Sequence, residues 1–290
     1  MFDGFERSTS SEGIEYVRAG AGSPLLLLHG FPETHACWHR AAPRLARRFT
    51  VIAADLPGYG DSRPASDGSK REMGAALVRF MRQLGWQRFA LVGHDRGARV
   101  AYRMALDSPR RVSHLAVLDI VPTLEVAQAM SYRLAFEMVN WFLLAQPHPF
   151  PETLIGADPG FYVNRILDAW AAKGDAISDQ ARARYVRQFE APAVRRAVCD
   201  EYRAAAGIDL EHDRADHAAG RRIEAPLLVL WSAHDIAGQH FDPIAVWRRW
   251  AVQVSGRALD CGHFLMEQAA EPVCEEIEAF LLRGSAPPGA

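Results

Sequence analysis

The chain has 290 residues, 49% of them hydrophobic, enough for one large core or for a core carrying an inserted subdomain. Its 33 basic residues nearly balance 35 acidic ones, which excludes a broad field for nucleic acid or an anionic membrane. The cysteines Cys37, Cys199, Cys261 and Cys274 are scattered, Met1 to Ser10 lacks the features of a secretory leader, and no apolar run nears the ~18 residues of a membrane span, so a soluble cytoplasmic protein is expected.

The first strong element is Leu25 to Leu28, a wholly apolar run ending in His29-Gly30. Thr50 to Ala54, Phe89 to Val92 and Leu115 to Leu118 repeat the pattern. Such runs read as parallel strands covered on both faces. Segments of helical period lie between them, at Trp38 to Arg47, Met73 to Leu84 and Arg99 to Leu106, and this alternation predicts a doubly wound parallel sheet. From Thr123 to Gly220 no strand-like run occurs, only helical segments broken by Pro147, Pro149 and Pro151. Leu227 to Trp231 resumes the sheet, and an amphipathic helix over Val273 to Leu282 closes it. The expected division is a core over residues 1–122, an inserted helical cap over 123–220 and the rest of the core over 221–290, with a loose tail from Gly284 to Ala290. The basic clusters Arg44 to Arg48 and Arg182 to Arg187 read as solvated helix faces. His212-Asp213 and Asp216-His217 read as solvated loop rather than a metal cluster. No G-x-G-x-x-G or P-loop is present, and no cofactor or metal is expected.

Open α/β sheets bind ligands at the carboxyl ends of their strands. The polar residues expected there, beneath the cap, are His29, Asp55, Asp95, Asp119, Asp235 and His263. Asp95 stands in Gly93-His94-Asp95-Arg96-Gly97, a nucleophile-elbow frame in which Asp replaces the usual Ser. A helix N-cap would explain the Asp but not the two glycines. A carboxylate attacks a saturated carbon bearing a leaving group and forms an ester that water must then open. The elbow therefore points to dehalogenation or epoxide opening. His263, in Cys261-Gly262-His263-Phe264, follows the nucleophile in chain order and occupies the place of the base. Its acid partner is Asp119 or Asp235; chain order fits both. Phe31 in His29-Gly30-Phe31-Pro32 offers a backbone N–H that with that of Arg96 forms an oxyanion hole. Arg96 and Arg99 share one face of the elbow helix, where two buried cations imply an anion, most simply a substrate carboxylate, with salt bridges to cap or core acids as the alternative.

With these residues in place the chain resembles the fluoroacetate (haloacetate) dehalogenases of the α/β-hydrolase superfamily. The resemblance runs from about Gly13 to Leu282, and its most specific string is His94-Asp95-Arg96-Gly97-Ala98-Arg99. It implies an α/β-hydrolase fold with a helical cap, Asp95 as nucleophile, His263 as base, Asp119 rather than Asp235 as acid, and Arg96 and Arg99 on the substrate carboxylate. It further implies a halide pocket at Asn140, Trp141 and Tyr202, with Asn140 standing where the family has His, Trp170 as an outer wall, and a homodimer. A small haloacid would be the substrate. The alternative is an epoxide hydrolase using the same triad with a cap tyrosine, for which Tyr132, Tyr162, Tyr185 and Tyr202 are available. A non-catalytic ligand-binding member of the fold is a third reading, opposed by the intact triad.

Overall fold

The computed structural model describes residues 1–171 and 177–283, so the expected loose tail from Gly284 lies outside the described residues. Among them one sheet contains β1 (Glu6–Thr9), β2 (Glu15–Ala19), β3 (Pro24–Leu28), β4 (Thr50–Ala54), β5 (Phe89–His94), β6 (Val112–Leu118), β7 (Leu227–Ser232) and β8 (Val254–Leu259). Their spatial order is β1-β2-β4-β3-β5-β6-β7-β8. The inner strands are parallel, and β1 and β2 add on antiparallel beside β4.

The apolar runs form the centre of this sheet because every side chain there is covered. Leu25, Leu26, Leu27 and Leu28 have no exposed surface. At about 1.5–3 kcal/mol for each fully buried side chain, such a strand is held in register by burial on both faces. The three strands without an apolar run lie toward the edges. β1 and β8 are largely exposed and polar, so burial leaves no imprint on their sequence.

From β3 the chain crosses to β4, then returns past β3 to β5 and proceeds outward through β6, β7 and β8. This reversal is a topological switch point, where an open α/β sheet leaves a crevice. Leu28 of β3 pairs with Gly93 of β5, so the loops after these strands emerge side by side.

Between β6 and β7 the described residues form eight helices, from Thr123–Gln128 to Ile208–Ala218. Ser131, Asp158 and Ser178 cap three of them through side-chain oxygens. The helix Ile208–Ala218 corrects an expectation: His212 to His217 is helical, not solvated loop. Asp213 and Asp216 are buried against Arg103 of the elbow helix (Asp95–Asp107), with Arg103 Nη2 donating to Asp213 at 2.8 Å. Acids three residues apart share one helix face, and a buried cation on the neighbouring helix takes both. Arg44 also departs from its solvated reading, donating to Glu278 of the final helix (Ala270–Arg283) at 3.0 Å.

Candidate active site

β5 stops at His94 and the elbow helix starts on Asp95, whose φ of +42° is a strained value for a residue with a side chain. The two glycines make the turn feasible. A Cβ on Gly93 would lie 2.6 Å from the Ala98 backbone, and one on Gly97 would lie 2.3 Å from the His29 carbonyl oxygen. Only glycine lets the helix pack this closely on β3 and β5. Asp95 is thereby lifted to the switch point with its side chain aimed off the sheet.

The Phe31 N–H donates to Asp95 Oδ2 at 3.1 Å. His263 Nε2 lies 4.0 Å from the same oxygen and has no hydrogen-bond partner among the described residues. Burial alone would raise the Asp95 carboxyl, but neighbouring His263 and the charge of Arg96 outweigh it and hold the group well below the usual carboxylate range. Asp95 is therefore held as an anion at neutral pH.

Behind the base, His263 Nδ1 lies 2.9 Å from Asp119 Oδ2 and 2.8 Å from Asp235 Oδ2. The structure thus brings both candidate acids to one nitrogen. Burial opposes the imidazolium, yet the charge of Asp235 and bonds to Asp119 and Asp235 raise its pKa well above the ordinary value. The His263 loop is held from two sides. Its N–H donates to the Trp170 carbonyl at 3.0 Å, and its own carbonyl accepts from His94 Nε2 at 2.8 Å. His94 Nδ1 in turn meets Glu33 at 3.0 Å. His29, by contrast, is satisfied by the backbone of Gly30 and Leu56, the ordinary condition of a core histidine.

The two arginines part company. Arg96 is fully buried and forks onto Glu201 of the helix Pro192–Ala206, its Nε donating at 2.9 Å. Lys70 joins the same carboxylate, and the Tyr202 ring lies 4.0 Å beneath the Arg96 guanidinium. Only its Nη1 is left without a partner. The cap acid weighed as the alternative for both arginines is therefore present for Arg96.

Arg99 has no such partner. Its Nη1 donates to the Val121 carbonyl at 3.1 Å and to Thr123 Oγ1 at 3.0 Å, and its Nε is buried without an acceptor. Arg99 is 3% exposed, and no described carboxylate reaches ion-pairing distance. Burial and the charge of Arg96 lower its pKa. A desolvated cation of this kind costs several kcal/mol unless an anion arrives.

Asp95, Arg99, Asn140, Trp141, Trp170 and His263 line one cavity of about 50 Å³. That is far below the several hundred Å³ of a drug-sized site and suits a ligand of a few heavy atoms. Trp170 stands 5.2 Å from the His263 ring, and Trp141 lies 4.5 Å from the Arg99 guanidinium. Tyr202 does not line this cavity. It sits behind Trp141, ring centroids 6.4 Å apart, and faces a second cavity of about 290 Å³ whose walls are largely apolar. Its hydroxyl is buried without a partner among the described residues.

Sequence reasoning missed Glu201, Thr123, the Glu33–His94 pair and the contact of Tyr162, named there only as a candidate epoxide donor, with Asn140. Tyr162 donates to Asn140 Oδ1 at 3.2 Å, which leaves the Asn140 amide nitrogen as the group free to donate. Glu201 directly precedes Tyr202 but belongs to no motif, and only its distant pairing with Arg96 reveals it. Thr123 had a visible signal, since it directly follows the segment that carries Asp119.

The α/β hydrolase fold model matches residues 23–270. The chain belongs to the α/β-hydrolase family. Within it the chain is 38% identical to a fluoroacetate dehalogenase of Burkholderia sp, over 97% of this chain and 95% of the relative. It is 32% identical to a soluble epoxide hydrolase of Corynebacterium sp. (strain C12), over 92% and 93% respectively. Among solved structures it is similar to ALR0039 of Nostoc sp PCC 7120, provisionally named an alpha/beta hydrolase, at 49% identity and TM-score 0.94 over 97% of this chain and 99% of that one. No described helix is long and apolar enough to cross a membrane.

Proposed function

We propose that the protein is a hydrolytic haloacetate dehalogenase, with residues 123–220 acting as a cap over a cytoplasmic, cofactor-independent and metal-free hydrolase core. The observation that carries this reading is Arg99, a buried cation without a carboxylate partner among the described residues, opening onto the same small cavity as Asp95. A haloacetate supplies what the cavity lacks. Its carboxylate meets Arg99, with Nη1 of Arg96 as the second donor, and its halogen-bearing carbon meets Asp95.

In the first step an Asp95 oxygen attacks that carbon and the C–X electron pair leaves on halide. Asn140, turned by Tyr162, and Trp141 donate toward the departing ion, whereas Tyr202, expected at the halide site, stands behind Trp141 outside the cavity. In the second step His263 takes a proton from water, whose oxygen adds to the Asp95 carbonyl carbon. The Phe31 N–H, paired with that of Arg96, holds the oxyanion that forms on Asp95 itself. Collapse releases glycolate and leaves the water oxygen in the Asp95 carboxylate. Asp119 orients the base. A neutral amide at Asn140 donates more weakly than an imidazolium, so chloro- and bromoacetate should turn over faster than fluoroacetate.

The competing reading is epoxide hydrolysis, supported by the 32% identical relative. It needs a tyrosine aimed at the epoxide oxygen. Tyr132 is 83% exposed, Tyr185 is bonded to Glu267, Tyr162 to Asn140, and none of the four tyrosines named for this role lines the catalytic cavity. A panel of fluoro-, chloro- and bromoacetate against styrene oxide, read by halide and diol release, decides between them. The His263→Ala variant, exposed to chloroacetate, should keep a covalent adduct on the peptide bearing Asp95 in mass spectra. An unmodified variant that still releases halide would mean direct attack by water.

A further inference from the structure

We infer that His263 is served by two acids at once: Asp119 and Asp235 form a pair on its Nδ1, and either one can hold the base when the other is lost. The inference rests on the hydrolytic reading of the site but concerns the base rather than the substrate. Its first support is geometric, since two carboxylate oxygens from different strand ends stand 2.9 and 2.8 Å from one nitrogen.

Each acid is held there by its own means. Asp119 closes β6 at φ +59°, a left-handed value that Asp and Asn tolerate best, and its other oxygen accepts the Ser232 N–H at 2.9 Å. Asp235 occupies the N-cap position of the helix Ile236–His240, where an Asp side chain ordinarily accepts from the first turn. Here it makes no capping bond and turns to His263 instead.

The two acids also divide the charge. Burial and the Asp235 charge push Asp119 up to about 7, whereas Asp235, despite its own burial, is held down by His263. Two carboxylates this close do not both ionise freely, so one proton is shared across the cluster. The remaining titratable neighbours of His263 among the described residues are Asp95 from the elbow helix, His94 from β5, whose ring lies 4.6 Å away, and the thiol of Cys261, which burial and the charge of Asp119 push up to about 12. The helix Pro159–Trp170 presents the uncharged ring of Trp170.

The test compares Asp119→Asn, Asp235→Asn and the double variant. The Asp119→Asn change keeps an acceptor for the Ser232 N–H and suits the left-handed backbone, and Asp235→Ala serves as a second variant because that side chain caps nothing. Each single change should lower chloroacetate turnover by less than about 100-fold, against roughly 10⁴-fold for the double, the loss expected when a base has no acid. In parallel, ¹⁵N spectra of labelled histidine in substrate-free protein, followed as pH is raised until His263 gives up its first proton, should leave the remaining proton on Nδ1 in both single variants and lose that preference in the double. A single variant as inactive as the double, or with the proton moved to Nε2, would overturn the shared role. The spectra need no substrate, so they judge the pair even if haloacetates are not turned over.

Discussion

At the scale of single residues, Arg96 and Arg99 differ in whether the protein itself supplies an anion. Both sit on the first turn of one helix and both are buried, but only Arg96 has Glu201. Replacing Arg99 by Met should leave the fold intact, since it breaks bonds only to Val121 and Thr123. It removes the partner of a desolvated substrate charge, a loss of about 2–5 kcal/mol. Chloroacetate should therefore lose about 30- to 5,000-fold in kcat/KM. Chloroacetamide, which carries no charge for Arg99 to meet, should change by less than about tenfold on the same reasoning. Equal losses on the acid and the amide would make Arg99 a structural residue.

At the scale of elements, the elbow is the least forgiving part of the fold. Gly97→Ala places a methyl 2.3 Å from the His29 carbonyl and 2.8 Å from Leu28, both in the β3 segment. Backbone cannot yield as a side chain tip does, so the helix must shift and carry Asp95 with it. Thermal denaturation should show a loss of about 1–3 kcal/mol or more, and activity should fall further than stability. A variant with normal stability and turnover would mean that the turn is looser than its geometry. The elbow was also the element most legible in the sequence, because its constraint is local: two glycines and a nucleophile within five residues. The buried strands were equally legible, since each is an unbroken apolar run. β1 and β8 were not, because a strand toward the sheet edge with solvated side chains carries little pattern, and β2 was not, because its buried apolar pair Tyr16-Val17 is flanked by the charged Glu15 and Arg18. Helix Ile208–Ala218 escaped because its buried face is acidic, and acids read as solvated until Arg103 is seen opposite. The second acid at His263 was visible only as an ambiguity. Chain order offered Asp119 and Asp235 as rivals, and nothing in a linear sequence says that two side chains reach one nitrogen.

At the scale of the whole molecule, charged contacts tie the helical insertion to the sheet. Glu201 meets Arg96 and Lys70, and Asp213 and Asp216 meet Arg103, so the cap rests on the elbow helix through buried ion pairs. Its outer side is different in character. Tyr132, Phe136, Phe150 and Phe161 are each more than half exposed, with Phe161 at 70%. Large apolar side chains concentrated on one set of helices mark an interaction surface. The homodimer implied by the family resemblance is expected to use it. Light scattering should give twice the mass of one chain, and Phe136→Glu with Phe161→Glu should give the single mass with the fold preserved. A wild-type monomer at micromolar concentration would rule the dimer out.

The placing of His263 among three carboxylates has a consequence for timing. Asp119 and Asp235 persist through the proposed cycle, but Asp95 is neutralised when it becomes an ester. Before that step its negative charge, 4.0 Å from Nε2, is one of the groups that raise the ring's affinity for a proton. Once it is gone, the ring holds its proton less tightly and passes it to solvent water. The imidazole therefore becomes competent to take a proton from water at the moment when an ester exists for that water to attack. No moving lid or outside signal is needed to set this order. The substrate, by spending the charge on Asp95, arms the group that completes its own hydrolysis.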